Sequence, residues 1–430
     1  MLMTDIIEKK RDKHPLDDKE LEFFVSGVTD KSIPDYQISA LLMAILLNGM
    51  DRRETLTLTT LMAKSGDMLD LSDLSHTADK HSTGGVGDKT TLAVAPIAAA
   101  LGCTVAKMSG RGLGFTGGTV DKLESITGYK TALDTAEFKK IAREHGMCVT
   151  GQSGNFAPAD KRLYAIRDVT ATVNSIPLIA SSIMSKKLAA GAETIVLDVK
   201  FGSGAFMKTA EDAEILAREM VEIGKGAGRK TAAVITDMDV PLGYAVGNAL
   251  EVKEAVRVLK GEGEKNLTSL CILLAAKMYQ ISFDKTEEES IAAARRVTAD
   301  GIAFKRLCAA VKAQGGNEKL LTGEHKFPAA AQIELTAEKD GYITAMNSET
   351  VGKAAVMTGA GRERLGDSID YSAGIILSKK YGDYVQKGER LATLYGAPER
   401  LQNARERLAD AYSIGESKPP EKPIVYKVID

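Results

Sequence analysis

Lys80-His81-Ser82-Thr83-Gly84-Gly85-Val86-Gly87-Asp88-Lys89-Thr90-Thr91 packs three glycines, two lysines and several hydroxyls between a short strand-like piece and a long apolar helix. Strand, glycine loop and helix in that order are the unit of an α/β fold. Glycines let backbone N–H groups converge at a helix N-terminus, where the dipole favours negative charge, so the run is a candidate phosphate cradle. A plain glycine-rich turn has the same composition, and this run alone leaves both readings open.

A second run tips the balance. Lys107-Met108-Ser109-Gly110-Arg111-Gly112-Leu113-Gly114-Phe115-Thr116-Gly117-Gly118-Thr119-Val120-Asp121-Lys122-Leu123-Glu124 follows another β-type segment, residues 103–106. It again combines glycines with hydroxyls and a cation. Two such loops, each at the end of a strand, point to a shared anion site at the carboxyl edge of one sheet.

Outward from these loops, the 430 residues suffice for two or three domains. Residues 1–70 read as a helical domain: Ile38, Leu41, Leu42, Ile45 and Leu46 keep one helical face, with Pro34 near the start and Asn48-Gly49 as the stop. Residues 71–157 and 191–330 alternate strands and helices, with 194–199 a continuous buried strand, 209–226 a helix and 231–236 another strand. That pattern predicts a large α/β phosphate-binding domain with a mostly parallel sheet. Residues 158–190 interrupt it with a helix that has Pro177 in its first turn and Gly191 at its end, and this excursion is expected to rejoin the helical domain. Beyond Pro328, short strands and turns give a C-terminal α+β domain, β-rich, over 331–430, closing with a helix at 398–412 and a Pro- and Lys-containing tail.

The formal net charge is −2 with no basic block, so neither nucleic acid nor an anionic membrane is an expected partner. The longest apolar stretches, 41–47 and 91–101, fall short of a membrane span, and the charged residues 1–13 lack an apolar signal core. A cytoplasmic location is the resulting expectation. Cys103, Cys148, Cys271 and Cys308 are far apart in apolar or helical contexts, which predicts buried free thiols. His14, His76, His81, His145 and His325 show no metal-ligand spacing, which argues against a zinc enzyme.

Two nucleotide motifs are only apparent. A Walker-type loop ending at Lys89 would need glycines where Thr83 and Asp88 stand. Gly112-Leu113-Gly114-Phe115-Thr116-Gly117 has the dinucleotide spacing, but the helix that follows has room only for 120–126 before Thr127-Gly128.

Ser109-Gly110-Arg111-Gly112-Leu113, Thr116-Gly117-Gly118-Thr119 and Asp121-Lys122-Leu123-Glu124 resemble the signature of the thymidine and pyrimidine-nucleoside phosphorylase family. Residues 80–88 resemble that family's first phosphate loop. The likeness continues through Arg167-Asp168-Val169-Thr170-Ala171-Thr172, Ser182-Ile183-Met184-Ser185-Lys186-Lys187 and Gly388-Glu389-Arg390-Leu391, and covers nearly the whole chain in order. Ala106-Lys107-Met108-Ser109 resembles the broader, pyrimidine-nucleoside type rather than the thymidine-restricted one. Phe115 departs from the pattern, which has His there.

The resemblance implies phosphate-dependent cleavage of uridine, thymidine and deoxyuridine to the free base and a (deoxy)ribose 1-phosphate, with inorganic phosphate as co-substrate and no organic cofactor. In that reaction phosphate attacks the sugar C1′ while negative charge builds on the leaving base, so an anion cradle must face cationic donors. The carry-over puts Lys80, Ser82, Thr91, Lys107, Ser109 and Thr119 on the phosphate, and Arg167, Ser182 and Lys186 on the base. Ser182 and Lys186 are four apart and share a helical face. Arg167 offers a planar fork and Lys186 a point charge. His81, beside Lys80, could protonate the leaving pyrimidine at its carbonyl, since imidazole titrates near neutral pH, and a structural histidine is the competing reading. A potassium ion is implied at Gly87, Lys89, Leu242, Ala245 and Glu254, although the Lys89 ammonium could itself take the cation's place if its side chain turned inward. A homodimer through the N-terminal helical domain is also implied. A phosphoribosyltransferase of similar fold is the nearest rival, and it would need clustered acidic residues for magnesium, which the sequence does not show beside either loop. The Gly382–Gly388 turn resembles one found in lipoyl- and biotin-carrier domains, but no suitably flanked lysine accompanies it.

Overall fold

A computed structural model describes residues 1–112, 114–115, 117–152, 154–323, 329–364 and 366–430. Leu113 and Thr116 of the second glycine run, His325 and Pro328 lie outside the described residues.

Four helices open the chain: α1 (Met3–Arg11), α2 (Asp18–Thr29), α3 (Asp35–Asn48) and α4 (Arg52–Lys64). Asp17 and Asp51 start α2 and α4 with capping boxes closed by Glu20 and Glu54. Glu54 also takes the buried Lys10 ammonium at 2.7 Å, locking α1 to α4. Helices α5 (Thr90–Ala100), α6 (Thr119–Glu124) and α7 (Thr135–His145) belong to the next layer, but α8 (Pro158–Val169) and α9 (Ile176–Ala189) return to the first four. Ala159, Leu163, Ile166 and Leu178 share one apolar core with Phe24, Leu41, Ile45 and Leu58.

Strands β1 (Ala78–Ser82), β4 (Thr194–Phe201) and β5 (Lys230–Asp237) pair in parallel, as do β2 (Val105–Ser109) and β3 (Met147–Gly151). A parallel bridge from Thr77 to Thr104 joins the two groups. β4 is buried along nearly its whole length, as a central parallel strand with helices on both faces must be. α5 is equally apolar all round and fully enclosed, with Leu92, Val94 and Ile97 in the main core beside Leu270 and Leu274 of the helix Lys265–Phe283.

The tail differs from expectation. After the helix Pro398–Ala409, Val425–Ile429 pairs antiparallel with β5 and forms the edge of the α/β sheet, so the end of the chain leaves the C-terminal domain. Its Val, Tyr and Ile content suits a strand, and the preceding prolines only spaced it away from the domain it leaves. The C-terminal domain itself is two small antiparallel sheets around Ile343, Ile375, Val385 and Leu394. The first of these includes Ala345 of Gly341–Met346, and the second reaches back to pair Gly374–Leu377 with Ala245–Val246 of the α/β part.

Candidate active site

Both glycine loops leave the carboxyl ends of neighbouring parallel strands. Alternation along β1 directs Lys80 and Ser82 to one face and Asp79 and His81 to the other. Lys80 donates to the Thr90 hydroxyl at the start of α5 and lies 3.1 Å from Asp198 and 4.0 Å from Asp88. Burial works against its charge, but Asp88 and Asp198 outweigh burial and raise the ammonium above its ordinary range. The Ser82 hydroxyl donates to Asp88 and accepts the Gly84 N–H at 3.2 Å. Asp88 also takes the Thr90 hydroxyl at 2.6 Å. Its own burial is overcome by Lys80, Lys200 and Lys122, which hold the carboxyl well below the usual range. Thr91 follows, buried in the first turn of α5.

The fold thus brings Asp88 and Asp198 together on Lys80, because β1–β4 pairing sets Ser82 opposite Asp198. No such pair is visible in the linear sequence. Both carboxylates are neutralised by lysines, with Lys200 at 3.0 Å from Asp198. Among the described residues no group of acidic, His or Cys side chains is arranged to hold a metal ion.

Lys107 and Ser109 lie within β2 itself, so the second loop begins at Gly110, and Thr119 opens α6. Lys107 reaches across to β1, donating to the Lys80 carbonyl and to Asp79 at 3.0 Å. Burial lowers its ammonium to about 8, against the pull of Asp79. Asp79 meanwhile takes Lys187 of α9 at 2.7 Å. One buried carboxylate is therefore clamped between two buried ammoniums, one from β2 and one from α9. His81 shares this face. Burial, then the Lys187 and Lys107 charges, depress its imidazole well below the ordinary value, so the free protein carries it neutral at pH 7. The imidazole is thus neutral in the free protein, where the sequence expectation had it titrating near neutrality.

The signature residues after the second loop hold it in shape. Arg111 forks onto Glu124 at 2.6 and 2.8 Å and reaches Asp121 at 3.1 Å, while Asp121 takes the Gly112 N–H and Arg362 of the C-terminal domain. Lys122 ties the Asp88 carbonyl of the first loop to Glu251 of the helix Asn248–Leu259. Gly118 is required by this closure, since a Cβ there would stand 2.1 Å from the Gly112 nitrogen. Phe115, where the family pattern has His, packs against the C-terminal core beside Gly352.

On the helical side, Lys186 of α9 donates to Asp160 of α8 at 2.6 Å and to the Ser182 hydroxyl at 3.2 Å. Asp160 escaped sequence reasoning because its partner lies 26 residues on, in another helix. Arg167 is buried and commits three of its donors to the carbonyls of Thr172, Val173 and Leu178, which fixes the turn between α8 and α9. With five N–H groups per guanidinium, two remain for a ligand.

The implied cation position has a definite outcome. The Lys89 side chain turns inward, 1% exposed, and its ammonium lies 2.7 Å from the Leu242 carbonyl, 2.8 Å from that of Ala245 and 2.6 Å from Glu254. Three donors meet three oxygens. A Cβ on Gly87 would stand 2.7 Å from the Leu242 carbonyl and 3.3 Å from the Lys89 nitrogen, so the cage is full. Of the five residues implied as potassium ligands, Leu242, Ala245 and Glu254 bind this ammonium, Lys89 supplies it, and Gly87 lies against it. A potassium ion does not fit beside it.

Comparison with known proteins follows the same three-part division. Residues 4–66 match the "Glycosyl transferase family, helical bundle domain", 74–304 the "Glycosyl transferase family, a/b domain" and 342–415 the "Pyrimidine nucleoside phosphorylase C-terminal domain". The chain is 50% identical over 435 aligned residues to a pyrimidine-nucleoside phosphorylase of Staphylococcus epidermidis ATCC 12228, covering 100% of both chains. It is 52% identical to that of Staphylococcus aureus USA300, covering 97% of each. Among solved structures, anthranilate phosphoribosyltransferase from Thermus thermophilus matches with a TM-score of 0.58 at 20% identity, over 72% of this chain and 98% of that one, a likeness of fold alone.

Proposed function

Because the chain belongs to the pyrimidine-nucleoside phosphorylase family, we propose that it cleaves pyrimidine nucleosides with inorganic phosphate, accepting uridine, thymidine and deoxyuridine. The observation that supports this reading is that the elements carrying the two donor sets adjoin, β1 being tied to α9 by the Asp79–Lys187 ion pair. Lys80 and Ser82 lie in β1, Lys107 and Ser109 in β2, and Thr91 and Thr119 in the first turns of α5 and α6, while Arg167, Ser182 and Lys186 stand on α8 and α9. The first set supplies ammoniums and hydroxyls for a phosphate dianion. The second supplies cationic donors for the ring as electrons accumulate on it. His81, neutral in the free protein, hydrogen-bonds the leaving base, and the positive charge comes from Lys186. No step requires a metal ion.

The direct test measures uracil and thymine release from their nucleosides. Release is expected only with orthophosphate. Release in its absence would indicate a hydrolase, and a requirement for diphosphate would favour the phosphoribosyltransferase reading that the fold likeness alone permits. Thymidine cleavage without uridine cleavage would identify the thymidine-restricted type.

The pH profile follows from the two perturbed groups. With Lys107 lowered to about 8 by burial, its charge is present below that pH and lost above it. Expected is a fall in kcat/KM for phosphate as pH rises through about 8, with the limb in kcat displaced upward because the bound dianion holds the proton on. His81 contributes no limb between pH 6 and 7, roughly where a free imidazole would titrate. A kcat/KM flat to pH 9.5, roughly a decade and a half past that point, would remove Lys107 from the phosphate site.

Dimerisation through the helical domain is part of the same proposal. Tyr36, Met43 and Leu47 lie exposed on one face of α3, spaced as residues that share a helical stripe, and they offer an apolar surface for a second copy. Leu47→Asp is expected to halve the mass seen by sedimentation equilibrium.

A further inference from the structure

We propose that Lys89 is a covalently tethered substitute for a free monovalent cation, so that the protein needs no dissolved ion to order its first phosphate loop. The cage around its nitrogen has the character of a cation site. Two backbone carbonyls converge from the segment after β5, Leu242 in its loop and Ala245 in the short strand Ala245–Val246, and Glu254 closes the third side. Glu254 is itself aimed, since its two oxygens accept the Tyr244 and Ala245 N–H groups at 2.7 and 2.8 Å. Burial disfavours its charge, but Lys89 and the Tyr244 and Ala245 N–H groups together outweigh burial and keep it ionised.

Converging carbonyls beside a buried carboxylate leave oxygen dipoles unpaired unless a cation sits between them. Ammonium and potassium are close in size and both accept oxygens at these distances. The tether removes the cost of capturing an ion from solution, and it fixes the cation's place in the chain. Lys89 stands between Asp88 and Thr90, which bind each other and Lys80, so the cage anchors the phosphate loop to the segment that pairs with the C-terminal domain. Lys89 thus acts as a positioning residue, through its neighbours.

The test compares potassium, ammonium and tetramethylammonium chlorides at equal ionic strength, read by thermal unfolding without substrate and by KM for phosphate. The wild-type protein is expected to give the same melting temperature and KM in all three salts. Lys89→Thr opens the cage while leaving a hydroxyl at its rim. This variant is expected to show a KM for phosphate raised about tenfold in tetramethylammonium, restored saturably by potassium or ammonium, with kcat changed less. Its melting temperature is expected to rise by about 2 °C or more across the potassium titration, as linkage to a bound ion requires. Lys89→Met fills the space without charge and is expected to gain nothing from potassium. A wild-type protein specifically stabilised by potassium would overturn the proposal, as would a folded Lys89→Thr variant indifferent to all three salts. Should neither variant fold, the wild-type titration decides alone. The thermal readout involves no nucleoside, so it stands or falls separately from the reaction assigned above.

Discussion

Lys186→Met is expected to lower kcat/KM for uridine phosphorolysis by about 10²–10³, or about 2.7–4 kcal/mol, the range found when one donor to a developing oxyanion is removed. Most of the loss is expected in kcat, because the neutral ring of the bound nucleoside needs little from an ammonium, whereas the departing ring carries negative charge. The structure supplies the aim: Asp160 at 2.6 Å and Ser182 at 3.2 Å hold the Lys186 nitrogen in one place without burying it completely. Asp160→Asn keeps the ammonium but loosens it, and a smaller loss, about tenfold, is expected from misplacement. A leaving-group comparison separates electrostatic help from general damage. 5-Fluorouracil leaves as a more stable anion than uracil, so Lys186→Met is expected to cost less with 5-fluorouridine than with uridine. Equal losses with both nucleosides, or a Lys186→Met variant within threefold of wild type, would take Lys186 off the leaving base.

What could be read from the chain, and what could not, divides along physical lines. The glycine loops were legible because their residue types are uncommon in combination and local in sequence, and the three-part architecture followed from hydrophobic periodicity on either side of them. Lys80, Lys107 and Lys186 were singled out by resemblance. Their partners were not. Asp160 meets Lys186 only because α8 packs beside α9, and Asp198 meets Lys80 only because β4 pairs with β1. Asp79 adjoins Lys80 in sequence yet serves the opposite face of the strand, where its two cations arrive from β2 and α9. The inward turn of Lys89 was open in the sequence, since an ammonium beside a glycine loop can face phosphate, solvent or a cage, and only the convergence of Leu242, Ala245 and Glu254 selects among them. The C-terminal strand is a different case. Its β-branched and aromatic residues were in view, but an edge strand added antiparallel to a parallel sheet from another domain leaves no local signature.

Asp79→Ala is expected to destabilise the protein by about 3–5 kcal/mol, the cost of leaving buried charge without its partner. Here two ammoniums, Lys107 at 3.0 Å and Lys187 at 2.7 Å, lose their shared carboxylate at once. The sign with pH follows from the direction of its shift. Burial opposes the Asp79 charge, but Lys107 and Lys187 overcome it and hold the carboxyl below the ordinary range, so its stabilisation is in place throughout neutral pH and fades only as acid protonates it. Denaturant unfolding at pH 7 therefore shows the full difference between wild type and variant, and the difference narrows at pH values below that of a free carboxylate, about 3.9. A purely structural role would end there. The same carboxylate, however, is what raises the Lys107 ammonium against burial, so the milder Asp79→Asn, which keeps the shape, is expected to move the descending limb of kcat/KM for phosphate below about 8. Lys187 joins α9 to β1 through this carboxylate, and its release is expected to loosen α9, which carries Ser182 and Lys186. An Asp79→Asn variant that keeps both the limb and its stability to within about 1 kcal/mol would show that the two lysines pair elsewhere, and the link between β1 and α9 would lose its physical basis.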